Sequence, residues 1–435
     1  MKNTIYIETY GCSANQNNSE ILAGLLTQAG NIITNNEKLA NIIILNTCIV
    51  KQRTETKIKR RIQDLKQFAK NKLLIICGCM PDTDAKKILN INPYAIFLGT
   101  HHFKDIIKLI KDYKENKLDP IKQNKYLDEN HHEEKLNLPK IPQNKLISIN
   151  QISEGCLGQC SFCKTRLAKG KLQSYPQDLI IKSIEQDLQQ GAKEVWITSQ
   201  DNAAYGLDKD KHLLPELLTK ILNLKHRFFL RLGMMDPNNV LPILDELIAI
   251  YKDKKMYKFL HIPIQSASNS VLKHMNRYYT IEQAEKIINE FRKQIPDIVI
   301  STDIIVAYPT ETEKDHKANI EFLKKYHPSI LNLSRFSSHK QTPAGKLKEI
   351  KTSIAKKRIK QLMQIHRQTA QQNKLKFKNK EIEVFINKKI GDRLHQARDE
   401  NYNLILLKCD KDMLGKKAKV LIKEIGVHHM IGELI

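Results

Sequence analysis

Three cysteines stand close together in the middle of the chain, at Cys156, Cys160 and Cys163. Thiolates at this CxxxCxxC spacing on one short loop can ligate three irons of a cubane cluster, which leaves the fourth iron open. An open iron can be chelated by a small molecule with an amine and a carboxylate, as the methionine end of S-adenosylmethionine does. A structural zinc site usually has four protein ligands, and this motif supplies three. The spacing therefore favours redox chemistry over a structural metal knuckle or a chance cluster.

The amino-terminal segment carries a second set of cysteines at the ends of predicted strands. The apolar runs that indicate strands are residues 4–9, 41–46, 72–77 and 95–98, and helical periodicity covers 19–29 and 55–70. This alternation predicts a small doubly wound parallel sheet. Cys12 follows the first strand, Cys48 ends the second, and Cys77 with Cys79 end the third.

The carboxyl ends of strands in an open parallel sheet converge on one crevice, so thiols far apart in sequence can meet there. We predict a second iron-sulfur site on Cys12, Cys48 and Cys79; buried inert cysteines are the alternative. Cys79 is preferred to Cys77 because Gly78 permits a turn that aims the later thiol into the crevice.

A longer alternation of strands and helices follows, and it predicts an α/β partial barrel of six parallel strands. The predicted strands are residues 146–152, 195–199, 228–233, 259–264, 299–306 and 330–335. Polar side chains lie at the carboxyl ends of these strands, where the active site of an α/β barrel is found. These candidates for holding a cofactor or substrate are Gln200, Asp201, Arg231, His261, Gln265 and Asp303, with Ser266 and Arg335 nearby.

The last segment, roughly residues 377–435, predicts a small antiparallel β-barrel. Alternating strands at 381–387, 403–407 and 419–425 are separated by turn glycines. Its lysines would give it a basic face suited to a phosphate backbone, although a solubilising surface is the alternative. These lysines are Lys408, Lys411, Lys416, Lys417, Lys419 and Lys423.

Composition agrees with a nucleic-acid partner and a reducing compartment. The 435 residues include 72 Lys and Arg against 47 Asp and Glu, a formal charge of +25, although a generally Lys-rich composition would also produce this excess. Eight cysteines without a secretory leader predict free thiols in the cytoplasm. No apolar run reaches membrane-spanning length, so we expect a soluble protein.

Four regions are predicted. They are an amino-terminal cluster domain at 1–118, a linker at 119–145, the partial barrel at 146–370 and the small barrel at 371–435. The linker is assigned from its Lys, Asn and Pro content and its lack of apolar periodicity. The pairs His101/His102 and His131/His132 invite a metal interpretation, but we expect solvated side chains because their flanks read as helix surface and linker.

Several motifs resemble those of the radical S-adenosylmethionine methylthiotransferases, and the resemblance spans essentially the whole chain. The general motifs are Gly11–Asn15, Asn18–Glu20, Asn46–Val50, Gly78–Met80, the CxxxCxxC loop and the small carboxyl-terminal barrel, which resembles a TRAM RNA-binding domain. Those of the archaeal and eukaryotic branch are Gly155–Cys156, Cys163–Pro176, Ser199–Asp201, Ala204–Gly206, Leu230–Met234 and Leu260–Ser266.

That branch converts N6-threonylcarbamoyladenosine beside the tRNA anticodon to its 2-methylthio form, with two 4Fe-4S clusters and S-adenosylmethionine. The resemblance implies that the cluster on Cys156, Cys160 and Cys163 cleaves S-adenosylmethionine to a radical that takes the hydrogen from C2 of the adenine. The cluster on Cys12, Cys48 and Cys79 would then deliver the methylated sulfur. An electron donor and a sulfur source are required, and the sequence identifies neither.

The chain departs from the family pattern at a few places. Ala307–Thr312 stands where Gly-Phe-Pro-Gly-Glu-Thr is usual, and His339–Ala344 where Arg-Pro-Gly-Thr-Pro-Ala is common. Asn18 replaces a common Asp and Thr54 a common Ala. None of these changes removes a cluster thiol, but the lost glycine at position 307 is expected to alter a turn at the cofactor.

Two alternatives to this function stay open. The same chemistry could act on isopentenyladenosine in tRNA or on an aspartate of a ribosomal protein, although the stretch from Lys164 to Pro176 argues against both. A non-catalytic iron-sulfur RNA-binding sensor is the other, and the intact open-iron motif argues against it. The sequence does not indicate which tRNAs are modified, the oligomeric state or the role of Cys77.

Overall fold

A computed structural model of the chain describes residues 2–118, 126–127 and 133–435. Two compact units can be distinguished. The first comprises Met1–Gln143, Ile149–Leu157 and Cys163–Ser183, and the second comprises Asn144–Ser148, Gly158–Phe162 and Ile184–Ile435. The prediction for His131 and His132 lies outside the described residues, as does much of the predicted linker.

The strands are β1 Thr4–Thr9, β2 Ile32–Ile33, β3 Ile42–Thr47, β4 Leu73–Gly78, β5 Ile96–Leu98, β6 Ile147–Gln151, β7 Ser153–Glu154, β8 Gln173–Ser174, β9 Glu194–Thr198, β10 Phe229–Leu232, β11 Phe259–His261, β12 Val299–Val306, β13 Ile330–Arg335, β14 Glu381–Lys389, β15 Leu394–Arg398, β16 Leu404–Lys408, β17 Lys417–Ile425 and β18 Met430–Leu434. The helices are α1 Ser13–Gln28, α2 Gln52–Asp64, α3 Lys66–Ala69, α4 Cys79–Ile91, α5 Ile106–Lys114, α6 Thr165–Lys169, α7 Gln177–Gln189, α8 Leu214–Leu222, α9 Pro237–Val240, α10 Leu244–Tyr251, α11 Asn269–His274, α12 Ile281–Gln294, α13 Glu313–Tyr326 and α14 Thr352–Leu375.

The first unit is built on a five-stranded parallel sheet of order β2-β1-β3-β4-β5. Its central strands β3 and β4 are buried along their whole length, as expected of continuous apolar runs in a parallel sheet covered on both faces. Alternate residues enter two separate cores, with Ile43 and Leu45 in one and Ile42 and Ile44 in the other. The predicted doubly wound sheet is confirmed.

Part of the region predicted as a linker is buried, including Tyr126, Glu133 and Lys135, whereas Ile141, Gln143 and Lys145 are exposed. The backbone amide of Gly99 donates to the carbonyl oxygen of Tyr126 at 2.7 Å. The Glu133 carboxylate accepts hydrogen bonds from the amides of Phe103 and Lys104. The Lys135 side chain is buried. These residues belong to the body of the first unit.

Two further sheets have three strands each, in the orders β10-β9-β6 and β11-β12-β13. The pairs β9-β10, β11-β12 and β12-β13 are parallel, and a bridge joins Leu230 to Met256. All six strands predicted for the partial barrel are present. The helix that follows β12 begins with a capping box in which Thr312 and Asp315 bond each other's backbone amides.

A closed five-stranded barrel ends the chain, with order β14-β15-β16-β18-β17. It is not wholly antiparallel as predicted, because β16 and β18 run parallel. The sequence pattern missed β15 and β18. Strand β15 lacks the alternation of apolar and polar residues that predicts a strand. Its two buried residues are His395 and Ala397, and only Ala397 is apolar.

The predicted α/β fold class is confirmed. None of the helices within the described residues is long and apolar enough to cross a membrane.

Candidate active site

Three thiols of the first unit lie at the carboxyl ends of adjacent strands. Cys12 follows β1 and directly precedes α1, Cys48 follows β3, and Cys79 begins α4 after β4. The strands β1, β3 and β4 are neighbours in the sheet, as the crevice argument requires. Cys12 is exposed, whereas Cys48 and Cys79 are both buried.

Glycines allow the chain to pass close to these thiols. Gly11 has φ 112°, and a Cβ there would lie 2.9 Å from Sγ of Cys48. Gly78 has φ 81°, and a Cβ there would lie 2.5 Å from the carbonyl oxygen of Thr47. Both conditions exclude a side chain, because the left-handed φ and the close contact each penalise one. In this chain a glycine therefore stands immediately before Cys12 and before Cys79.

The charge environment links these thiols. The pKa of Cys48 is raised to about 11, mainly by burial, with the amide of Val50 opposing the rise and a negative charge on Cys12 adding to it. Burial likewise raises the pKa of Cys79; the ammonium group of Lys169 opposes this rise, and charges on Cys48 and Cys12 add to it. Thiols with raised pKa values stay protonated at neutral pH until a metal displaces the protons.

Cys77 belongs to a different environment. Its side chain packs with Ile75 and Leu98 in the core on one side of the sheet, while Cys48 and Cys79 pack in the core on the other side. Burial raises the pKa of Cys77, and neither Cys12 nor Cys48 contributes to that shift. This separation supports the choice of Cys79 over Cys77 as a ligand.

The CxxxCxxC loop is shared between the units, with Cys156 and Cys163 in the first and Cys160 in the second. Within the first unit, the amide of Cys156 donates to the carbonyl oxygen of Gly170 at 3.2 Å. Lys164, directly after Cys163, forms a buried ion pair with Asp84 of α4. The thiol-bearing residues of this unit are thus held by backbone and ionic contacts.

Within the second unit, the residues that follow α11 hold the middle of the loop. The amide of Ser161 donates to the carbonyl oxygen of Met275 at 2.9 Å. The side-chain amide of Asn276 donates to the backbone carbonyl oxygen of Gln159 at 2.8 Å. Nη1 of Arg277 lies 3.2 Å from Sγ of Cys160. Sequence analysis missed these residues, and the polar Asn276-Arg277 pair after a helix was their only signal.

Thiolates are the ligands that iron-sulfur clusters use, so both predicted donor sets suit a cluster chemically. In the part of the chain that the structure describes, no three or more His, Cys, Asp or Glu side chains are grouped so that they could hold a metal ion. The fit rests on the thiol donors and on the cradle at Gly11, where no side chain blocks Cys48.

His261 and Asp303 are brought together. Nε2 of His261 lies 2.6 Å from Oδ2 of Asp303, and both side chains are partly exposed. Gln265 lies beside this pair, since its amide donates to the carbonyl oxygen of Asp303 at 2.8 Å, and its φ is 60°. Positive φ in a residue other than glycine is a strained conformation that often marks a functional site.

Arg231 and Gln200 are placed differently. The guanidinium carbon of Arg231 lies 5.0 Å from the ring centroids of Trp196 and Phe259 and 5.2 Å from that of Tyr402. Arg231 is thus held in an aromatic cage to which the carboxyl-terminal barrel contributes Tyr402. Oε1 of Gln200 is buried and has no hydrogen-bond partner among the described residues, which is uncommon for a buried polar atom.

The carboxylate of Asp201 accepts three hydrogen bonds from the protein itself. Its Oδ1 accepts hydrogen bonds from the amides of Ala203 at 3.1 Å and Asp236 at 2.9 Å. Its Oδ2 accepts one from the side chain of Asn239 at 2.7 Å. Its evident role is to join two loops, and cofactor binding by Asp201 stays a prediction.

The pH dependence of stability should reveal Asp201. Burial, followed by the charge of Asp236, raises the pKa of Asp201 from 3.8 to about 7. The folded state then retains a proton that the unfolded chain releases, so stability falls as pH rises from about 4 to about 7. Asp201→Asn removes this contribution, so its urea midpoint should fall less than that of the wild type between pH 5 and pH 7.5. Parallel midpoints would contradict the assignment.

The departure at position 307 has a structural consequence. Ala307 keeps φ 60°, the left-handed conformation that glycine adopts more readily. The amide of Ala307 donates to the buried carboxylate of Glu311 at 3.1 Å, which holds this turn. The lost glycine has therefore left strain in this turn.

Ala307→Gly should stabilise the protein. Relief of left-handed strain exceeds the added entropy of the unfolded chain, for a net gain of about 0.5–1 kcal/mol. Ala355→Gly, in the helical conformation of α14, is the matched control and should destabilise. Urea unfolding of both variants measures the difference. Destabilisation by both would show that position 307 is unstrained.

The comparisons with known proteins agree with this fold and these motifs. Residues 150–323 match the family model described as the radical SAM superfamily, and residues 4–99 match that of the uncharacterized protein family UPF0004. The structure of the radical S-adenosylmethionine methyltransferase TsrM from Kitasatospora setae, with cobalamin and a [4Fe-4S] cluster bound, has a similar fold. Its TM-score is 0.57 at 13% identity, covering 79% of this chain and 77% of that one.

Fold and motifs thus define a radical S-adenosylmethionine protein. A probable threonylcarbamoyladenosine tRNA methylthiotransferase of Archaeoglobus fulgidus is 36% identical over 99% of this chain and 98% of its own. The threonylcarbamoyladenosine tRNA methylthiotransferase of Homo sapiens is 32% identical over 99% of this chain and 73% of its own. The chain belongs to the threonylcarbamoyladenosine tRNA methylthiotransferase family, and the predicted resemblance is confirmed.

Proposed function

We propose that this protein adds a methylthio group to C2 of N6-threonylcarbamoyladenosine at position 37 of tRNA. The observation that carries the proposal is the 36% identity to the archaeal relative along nearly the whole of both chains. Both thiol sets of the family pattern are present in this chain. S-adenosylmethionine and two 4Fe-4S clusters would be the cofactors, with an external reductant and a sulfur donor as partners.

Cys156, Cys160 and Cys163 would hold the cluster that binds S-adenosylmethionine, and Cys12, Cys48 and Cys79 would hold the second. When bound, these groups would supply reductive cleavage of S-adenosylmethionine and the sulfur atom to be transferred. The protein's own task is to hold these groups and the substrate in place and to exclude competing reactions.

The residues at the strand ends of the second unit support roles in binding. Asp303 engages Nε2 of His261 through its 2.6 Å contact, so Nδ1 would be the ring nitrogen that contacts a ligand. The unpartnered Oε1 of Gln200 would accept a hydrogen bond from an amine or a hydroxyl group. Arg231, enclosed by aromatic rings, would orient the interior of this region rather than contact the substrate.

RNA binding by the carboxyl-terminal barrel is supported by its charge. The six lysines predicted to form the basic face are all exposed. Lys417 and Lys423 are each paired with a glutamate, at 2.7 and 3.5 Å, and such exposed pairs are easily broken by a competing phosphate. We infer that this face contacts the tRNA backbone and contributes affinity rather than sequence specificity.

A defined reaction tests the proposal. Anaerobically purified protein with reconstituted clusters is mixed with S-adenosylmethionine, dithionite and tRNA that contains threonylcarbamoyladenosine, and the nucleosides are analysed by mass spectrometry. We expect the 2-methylthio nucleoside with the wild type and none with Cys160→Ala. Parallel reactions contain tRNA with isopentenyladenosine or a ribosomal protein. Modification of either one instead would replace the proposed substrate, and RNA binding without 5′-deoxyadenosine formation would indicate a sensor.

A further inference from the structure

We propose that Arg277 is a positioning residue that raises the reduction potential of the cluster on the CxxxCxxC loop, through a hydrogen bond from its guanidinium to Sγ of Cys160. The inference rests on the proposed function, in which Cys160 is a cluster ligand. It assigns a role to a residue outside both thiol sets and outside the predicted cofactor contacts.

The contact that carries the inference is a charged N–H donor aimed at a sulfur atom. Nη1 of Arg277 lies 3.2 Å from Sγ of Cys160, within hydrogen-bonding distance for sulfur. Only 7% of the Arg277 side chain is exposed. Water therefore screens this interaction far less than it would at the surface.

The guanidinium is fixed from its other sides. Nη2 lies 2.7 Å from Oδ2 of Asp236, and the guanidinium carbon lies 5.0 Å from the ring centroid of Tyr279. Asp236 is itself held, because its Oδ1 accepts from the amide of Asn238 at 3.0 Å while its own amide donates to Asp201. The planar guanidinium of Arg277 thus forms an ion pair with Asp236 through Nη2 while Nη1 donates to the sulfur.

The loop is held against this arginine by its neighbours. Asn276 donates to the carbonyl oxygen of Gln159, and Ser161 donates from its amide to Met275 and from its hydroxyl to His274. Residues on both sides of Cys160 are therefore bonded to the segment that ends in Arg277. The donor and the sulfur stay in register without depending on their mutual contact alone.

The electrostatic consequence follows from the charge change on reduction. Reduction adds one electron to a cluster, and part of the added charge resides on its sulfur ligands. A buried cation that hydrogen-bonds one of these sulfurs stabilises the reduced state more than the oxidised one. Arg277 would therefore make the cluster easier to reduce, and reduction must come before cleavage of S-adenosylmethionine.

The test is a redox titration of the full-length, cluster-loaded protein followed by electron paramagnetic resonance. The cluster in question is recognised as the one whose signal changes when S-adenosylmethionine is added. In Arg277→Gln we expect the ratio of reduced to oxidised cluster, at a fixed ambient potential, to fall about tenfold, a shift of about 59 mV for one electron. Arg277→Lys keeps the charge without the planar fork and should shift in the same direction by less.

Arg292→Gln is the matched control. This half-buried arginine of α12 lies in the same unit and donates to the carbonyl oxygen of Tyr326, so its removal costs the same formal charge without touching the loop. Its midpoint should equal that of the wild type. Unchanged midpoints in both Arg277 variants, with wild-type iron content, would overturn the inference. A wild type without a signal that responds to S-adenosylmethionine would instead overturn the proposed function.

Discussion

Cys79→Ala is expected to lose about half of the bound iron, whereas Cys77→Ala keeps nearly all of it. The two cysteines are separated by a single glycine, and alternation along β4 alone would place both side chains on the same face. The left-handed turn at Gly78 instead sends Cys79 into the core on the other side of the sheet from Cys77. The charges that influence Cys79 include Cys12 and Cys48, so it shares their environment. Removal of one of three ligands should release the whole second cluster, because two thiols do not hold it.

Iron and acid-labile sulfide analysis of anaerobically reconstituted protein gives the measurement. Cys77→Ala is the matched control, since both variants remove one buried thiol from neighbouring positions. The signal that responds to S-adenosylmethionine should survive in both variants, which separates loss of one cluster from general misfolding. Iron loss in Cys77→Ala with retention in Cys79→Ala would reverse the ligand assignment.

Glu154→Gln is expected to destabilise the protein by roughly 3–5 kcal/mol, the cost of leaving buried charges without a partner. Glu154 is 2% exposed, and its carboxylate accepts hydrogen bonds from Nζ of Lys135 at 2.7 Å and from Nζ of Lys169 at 2.8 Å. Burial alone would raise the pKa of Glu154, but these two ammonium groups hold it well below the usual value. A neutral amide would leave both lysines uncompensated.

Urea unfolding of the variant beside Glu115→Gln tests this expectation. Glu115 also pairs with a lysine, Lys117, but on the surface of the same unit. Its replacement should leave the midpoint unchanged, because solvent screens exposed ion pairs. Equal midpoints for the two variants would show that the Glu154 cluster contributes no more than a surface pair.

The same cluster corrects one expectation from the sequence. His101 and His102 were predicted to be solvated, and this is wrong, since each is only 5% exposed. Nδ1 of His101 lies 3.5 Å from Oε2 of Glu154, and Nδ1 of His102 lies 2.9 Å from Oδ2 of Asp105. The partner Glu154 is 53 residues away in the sequence, so local pattern could not reveal it.

The sequence predicted best those strands and helices that are marked by the apolar residues within them. Strands β12 and β13 have the predicted bounds. In β12 the short run is rich in β-branched residues and mostly buried, which is the pattern that favours a strand over a helix. The cysteines could be placed at strand ends for the same reason. Their roles as ligands stay predictions.

What the sequence could not predict are polar segments buried by distant partners. Helix α1 begins at Ser13 rather than at residue 19, since its first turns contain buried asparagines instead of an apolar stripe. Asn15 donates to the carbonyl oxygens of Tyr10 and Thr47, both at 2.8 Å, and Asn17 to that of Ile149 at 2.7 Å. Such residues are stable inside only when paired, and pairing depends on the fold.

In the candidate site, too, the sequence did not reveal contacts between residues that are far apart in the chain. Arg277 and Asn276 contact the CxxxCxxC loop across 117 residues of sequence, so the polar pair that they form after a helix could not by itself identify their partner. Asp201, which the sequence marked as a candidate for ligand binding, is occupied by three protein donors. A polar residue at a strand end therefore predicts the location of a site better than it predicts a role.

The central claim is most directly tested in cells that make threonylcarbamoyladenosine in tRNA but lack its methylthio form. Nucleosides from their tRNA are analysed by mass spectrometry after expression of the wild type or of Cys160→Ala. We predict a new 2-methylthio-threonylcarbamoyladenosine peak with the wild type and its absence with the variant. No peak from wild-type protein that is recovered with both clusters and cleaves S-adenosylmethionine would contradict the proposed substrate.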